Sequence, residues 1–256
     1  MRKVSLAILL LILAFSVSAQ RRAGATGSKT PTTKASKTTR ASEIGQTGIV
    51  IDETLSVLRE SPSLFAPVVH RMQRGRKVQI LGLTEADGVK FYKVAAPPTS
   101  VGWVQADAIF GKFRAGDEER FANLVRALDG FDQIEAASDF LEIYPASQLR
   151  SSILLLYGDL LEEVAVKLSK DANSKLKRNE MAASAAPLHS YFLNFVSLDR
   201  YRKLGIMFLF NSTDRKYHYD GASWREIVTK YPTSTDAVEA KKRLDLLAIK
   251  MAPPAK

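Results

Sequence analysis

The chain has 256 residues, enough for one large domain or two small ones, and its 46% hydrophobic content is ordinary for a protein that buries a core. It contains no cysteine, which excludes disulfides, thiolate catalysis and Cys-ligated zinc, and His70, His189 and His218 are too scattered for a His-rich metal site. The formal net charge is +10, yet residues 1–42 hold Arg2, Lys3, Arg21, Arg22, Lys29, Lys34, Lys37 and Arg40 with no acidic residue. Beyond residue 42 the balance is 29 Lys+Arg to 27 Asp+Glu, so the basicity belongs to the N-terminal segment and nucleic-acid binding by the body loses its compositional support.

Residues 1–19 begin with Arg2 and Lys3, continue as an apolar run from Val4 to Val17, and end on Val17-Ser18-Ala19. Two charges, an apolar centre and small residues before the cut predict a secretory signal peptide cleaved after Ala19. The run is shorter than the about 20 residues a spanning helix needs, although an uncleaved N-terminal anchor is the alternative. The expected location is periplasmic or extracellular, with no integral membrane segment left after cleavage. Residues 20–46 are rich in Ser, Thr, Ala, Gly and Lys and almost free of large apolar side chains, so a disordered basic linker is expected there. Its charges suit either attraction to anionic surfaces or the role of a spacer.

Residues 47–112 carry strand signals. Ile49-Val50-Ile51, Val57-Leu58, Val78 to Leu81, Phe91 to Val94 and Trp103-Val104 are short apolar runs separated by turns at Ser61-Pro62-Ser63, Arg74-Gly75-Arg76, Ala86-Asp87-Gly88 and Pro97 to Gly102. Strands this short within about 60 residues predict a small closed β-barrel, since an open sheet of that size cannot bury both faces. Gly75 is expected to supply a positive φ, and Gly102 a close backbone approach or tight bend.

The ordered series Val57-Leu58-Arg59-Glu60-Ser61-Pro62-Ser63, Arg74-Gly75, Val78-Gln79-Ile80-Leu81, Phe91-Tyr92-Lys93-Val94 and Gly102-Trp103-Val104 resembles the bacterial SH3-like domains of exported proteins. It departs from their pattern at Val57, Ser61 and Phe91. The resemblance covers about a quarter of the chain. It implies binding of a peptidoglycan peptide, or an adaptor role in docking on the same chain or a partner, with Arg59, Phe91, Tyr92 and Trp103 lining the groove. The alternative is that Phe91 and Trp103 fill the core of so small a domain. Arg71, Arg74, Arg76 and Lys77 form a basic cluster beside the turn, suited to acidic wall polymer or simply to solvent.

Residues 116–251 change to helical periodicity. Phe121, Leu124, Val125 and Leu128 recur at intervals of three and four, as do Ile134, Ala137, Phe140, Leu141 and Ile143, with Asp129-Gly130 between them. A third helix is expected over 148–171, a weak polar stretch over 173–185, and buried core helices over the apolar segment 188–210, whose Asp199, Arg200, Arg202 and Lys203 argue against a membrane span. Residues 252–256 read as a tail. A helix ending in Tyr144-Pro145-Ala146-Ser147 is echoed by one ending in Tyr231-Pro232-Thr233-Ser234, where Pro stops the first helix and Ser caps the next. Ser223 and Glu226 are placed for a capping box. The Tyr-Pro-x-Ser hinge resembles the helix-pair repeats of tetratricopeptide-like periplasmic proteins, although the copies lie 87 residues apart, not a multiple of that repeat's about 34.

No phosphate-binding Gly loop, HExxH or GxSxG occurs, and no cofactor, metal site or catalytic residue is assigned. The best polar cluster is Asp214 to Gly221, where His218 beside Asp220 gives a possible base and orienter, or a turn before the next helix. The fold expected is α+β multidomain, a small SH3-like β-barrel followed by an all-α helical-hairpin domain. The function expected is non-enzymatic binding in the cell envelope. The barrel would recognise a protein or peptidoglycan peptide and the helices a protein partner. The rival reading is a scaffold or regulatory protein whose barrel docks on its own helices. No oligomeric state is assigned.

Overall fold

The structure is a computed structural model that describes residues 42–252; the expected signal peptide, most of the expected linker and residues 253–256 lie outside the described residues. Residues 42–46, expected as linker, already form a turn: Gly45 N–H donates to Ile80 O at 2.8 Å and Ile80 N–H to Gln46 O at 2.9 Å. Seven strands follow, β1 Thr47–Val50, β2 Val57–Arg59, β3 Val68–Arg71, β4 Lys77–Ala86, β5 Val89–Ala96, β6 Ser100–Gln105 and β7 Ile109–Phe110. They form one antiparallel sheet in the order β3-β2-β6-β5-β4-β1-β7, a barrel left open and not the closed one expected, since among the described residues its end strands β3 and β7 do not pair with each other; a register shift lies between Ile80 and Gly82 in the long β4. Such a bulge increases local twist and bends a strand, here just beyond residues 77–79 of β4, which pair with β1.

Two glycines shape this sheet. Gly75 has φ +77 in the turn into β4, as its sequence position implies. At Gly102 a Cβ would lie 2.7 Å from Arg59 O and 2.8 Å from Leu58 Cγ, so the absence of a side chain lets β6 close against β2.

The helical part comprises α1 Asp117–Ala127, α2 Gly130–Ile143, α3 Arg150–Lys175, α4 Arg178–Ser184, α5 Leu188–Leu193, α6 Asp199–Arg202, α7 Ala222–Lys230 and α8 Thr235–Met251. The apolar segment 188–210 is not a run of core helices. It breaks into α5, a 3-10 turn and α6, then enters a hairpin of β8 Phe208–Asn211 and β9 Lys216–Tyr219. Aromatic packing accounts for its hydrophobicity: Phe192 stacks on Phe210 at 4.5 Å, and Tyr217 Oη donates to Phe192 O at 2.5 Å. Among the described residues no helix is long and apolar enough to cross a membrane.

The two Tyr-Pro-x-Ser copies do end α2 and α7. Ser234 caps α8 by accepting the Ala237 N–H at 3.2 Å. The expected capping box on α7 does not form, because the helix starts earlier, from Gly221 at φ +82, and Glu226 instead pairs with Arg150 at 2.9 Å. That pair joins the two hairpins α2–α3 and α7–α8, whose inner helices pack directly. Residues 176–221 lie between the two hairpins and account for 46 of the 87 residues that separate the Tyr-Pro-x-Ser copies. At the α3–α7 contact, Gly158 admits Trp224: a Cβ there would sit 2.3 Å from Nε1.

Strand β1 and the residue after it link the two cores. Val50 lies in the barrel core with Leu58, Ile80, Tyr92, Val94 and Val104, whereas Ile49, Ile51 and Phe110 lie in the helical core with Phe121, Ile134 and Phe140. Period-two alternation sends successive side chains to opposite faces, so three consecutive apolar residues are all buried only if both faces are covered.

Polar contacts reinforce this junction. Asp132, Glu135, Asp139 and Glu142 recur at intervals of three and four along α2, giving that helix an acidic stripe. Against it lies the turn before β4. Arg74 pairs with Asp132 at 3.5 Å, Lys77 pairs with Glu142, and the site of a Gly75 Cβ is 3.7 Å from Asp139 Oδ2. Burial, then the neighbouring Glu135 and Glu142 charges, push the Asp139 carboxyl up to about 6 against the opposing pull of Arg74 and Lys77.

Two outcomes follow for stability, read as the denaturant midpoint. Gly158→Ala should destabilise by about 1–3 kcal/mol through overpacking against Trp224, and an unchanged midpoint would mean α3 and α7 are not held that closely. Asp139 binds its proton more tightly folded than unfolded, so its contribution falls as pH rises from the ordinary carboxyl value of 3.8 to about 6. Asp139→Asn should therefore raise the midpoint at pH 7.5 and flatten the decline across that window, and a lowered midpoint at neutral pH would refute this assignment.

Candidate functional site

Pairing register builds one row across the outer face of the sheet. Val68 on β3 faces Arg59 on β2, Arg59 faces Trp103 on β6, and Trp103 faces Lys93 on β5. Directly paired residues share a face, so these four side chains stand side by side, with Val101 two residues before Trp103 on the same side. Trp103 and Arg59 are half-buried and Lys93 is exposed. Arg59 Nη1 donates to Ala66 O at 2.8 Å. Among the described residues, neither Arg59 nor Lys93 lies within ion-pair distance of a carboxylate.

The loop from Glu60 to Pro67 borders this row. Asp87, at φ 53 in the β4–β5 turn, accepts from Ser63 Oγ at 2.7 Å and from Leu64 N–H at 2.8 Å. Those two bonds hold its carboxyl below the usual range. The loop so pinned leaves Phe65 88% exposed.

Of the expected groove residues, only Arg59 and Trp103 come together at a surface. Phe91 and Tyr92 are 0% and 1% exposed and point to opposite faces of β5, so neither lines a groove. Tyr92 belongs to the barrel core and meets Phe113 edge-on at 6.2 Å. Val68, Val101, Phe65 and Lys93 complete the face, and sequence reasoning did not single them out. The β-pairing is what assembles them; alternation along β6 could have placed Val101 with Trp103.

The expected basic cluster is not one open cationic patch. Arg71 donates to the Thr54 carbonyl at 2.7 Å and to that of Glu53, and Arg76 to Pro97 O at 3.0 Å. Arg74 and Lys77 turn to α2 as described above. Short-range carbonyls and the α2 stripe divide the four side chains among different tasks.

His218 does not meet Asp220. Its Nδ1 lies 2.9 Å from Glu162 Oε1, while Asp220 accepts from Ala222 N–H at 2.9 Å and pairs with Arg225. Glu162 also accepts from Lys250 Nζ at 2.8 Å and Tyr219 N–H at 2.9 Å. Burial pushes the Glu162 carboxyl up, but bonds from Lys250, His218 and Tyr219 outweigh it and hold the group below its ordinary value. His218 is 4% exposed and its Nε2 has no polar neighbour, so the pair ties β9 to α3. No group of three His, Cys, Asp or Glu among the described residues is placed to hold a metal ion. Beside this pair, α3 and α8 enclose an open cleft of about 390 Å³ with Val166, Leu246 and Trp224 on its walls and the Asp159–Arg243 pair at its rim.

Neither the curated proteins nor the solved structures compared with this chain give a match. A family match covers residues 54–109 and does not extend to the helical part. The strands, the Gly102-Trp103-Val104 ending and the match together make residues 54–109 a bacterial SH3 domain.

Proposed function

We propose that this chain is an exported, non-enzymatic binding protein of the cell envelope. Its SH3 domain recognises a protein or a peptidoglycan peptide, and its helical part, a tetratricopeptide-like hairpin array, engages a protein partner. The bacterial SH3 domain supports a binding role. The observation that carries the reading is the row Val68–Arg59–Trp103–Lys93, a half-buried indole between two cations without acidic partners. Half-exposed Trp and Arg at the centre of a face are typical anchors for a partner. Export rests on the charge and hydrophobicity of residues 1–19. The apolar cleft between α3 and α8 supports a partner for the helices.

The scaffold reading has its own support, the acidic α2 stripe against Arg74 and Lys77. The two readings combine: helices engage the β1–β7 end of the sheet, while the β3–β2–β6 end remains for a partner.

Co-sedimentation of the full chain with purified peptidoglycan tests the wall-peptide version. Retention is expected, and Trp103→Ala should reduce affinity by about tenfold or more, the loss expected of a central aromatic anchor. Retention insensitive to Trp103→Ala would remove the assignment to this face. Absence of retention by the unaltered chain would exclude the wall peptide.

A further inference from the structure

The outermost strand of the sheet has a free side. Among the described residues β3 pairs with β2 and with no other strand, so one line of its backbone N–H and C=O groups has no ladder partner there. A register shift opposite Arg59 sets an extra residue in β3, which turns both Val68 and Val69 outward, 59% and 44% exposed. With Phe65 at 88% and Val101 at 53%, they form an apolar border along an open strand. Behind that border stands Arg59 on β2, without a carboxylate partner among the described residues, and on β3 itself Arg71, whose guanidinium donates to backbone carbonyls.

We infer that β3 receives an extended acidic peptide of a partner protein as an added strand, an inference that rests on the binding role proposed above. The added strand would satisfy the open ladder, its apolar side chains would cover Val68 and Val69, and its carboxylates would meet Arg71 on β3 and Arg59 on the neighbouring β2. Charge decides against a second copy of this chain, because two such edges would bring Arg59 and Arg71 towards their own counterparts. The open ladder decides against an anionic membrane, whose lipids offer no matching row of donors and acceptors.

The test is fluorescence anisotropy with the full chain and a short labelled peptide alternating valine and glutamate. Binding is expected, whereas a valine–lysine peptide should not bind. Val68→Glu and Arg71→Glu, both at exposed positions of β3, should each weaken binding by about tenfold or more through added like charge. N-methylation of alternate residues along one edge of the peptide should abolish binding, and along the other edge leave it intact, because only one edge faces β3. Equal tolerance of both methylated peptides overturns strand addition. So does binding to anionic vesicles without binding to the peptide, or self-association that Val68→Glu abolishes. Peptidoglycan retention that depends on Trp103 without valine–glutamate binding overturns this inference alone; absence of both overturns it together with the wall-peptide reading.

Discussion

One apolar segment belonging to two cores holds the molecule together. In Ile49-Val50-Ile51 the middle side chain enters the barrel and its neighbours enter the helical core. Ile109 and Phe110 repeat the division on β7, where Phe110 meets Phe121 at 5.4 Å. A domain this small buries a limited core of its own, and the helices cover what the barrel leaves exposed. The SH3 domain is therefore attached through its β1–β7 side by hydrophobic burial, with the α2 stripe adding orientation more than energy, since its exposed Lys77–Glu142 pair is screened by water.

The passage from barrel to helices depends on Asp117, which is fully buried at the start of α1. It accepts from Arg114 Nε at 2.7 Å, Arg120 Nη1 at 3.2 Å and Gly111 N–H at 3.3 Å. A buried carboxylate is tolerated when paired and hydrogen-bonded, and this one fixes the loop 111–116 that sets the direction of α1. Tyr144 closes the same loop by donating to Gly111 O at 3.1 Å. With this side of the barrel occupied, the open edge of β3 and the indole of Trp103 are what the domain offers elsewhere.

Local signals in the sequence were legible where local chemistry decided them. Gly75 needed a positive φ, Gly102 a close approach, Ser234 a cap, and the Tyr-Pro-x-Ser stops ended α2 and α7. Segment 188–210 misled because its aromatic residues are apolar for the sake of a hairpin and short helices stacked on each other; its periodicity carries no mark of that arrangement. The His218–Glu162 contact spans 56 residues and could not be read from neighbours, whereas Asp220, two positions away, was the visible candidate and instead accepts the Ala222 N–H at the start of α7.

What the sequence determined by itself is the chain's composition of parts: a basic N-terminal segment, a strand-rich stretch with an SH3 signature and a helical remainder. Charge, turn residues and hydrophobic period act over a few residues and are written locally. Only the tertiary structure decided which side chains reach a surface. Phe91 and Tyr92 are covered from opposite sides, Arg74 and Lys77 face α2, and Arg59 and Trp103 meet Val68 and Lys93 because strands far apart in sequence pair in one register. Burial and pairing are properties of the assembled sheet, so the row Val68–Arg59–Trp103–Lys93 could be drawn only after the strands were in place.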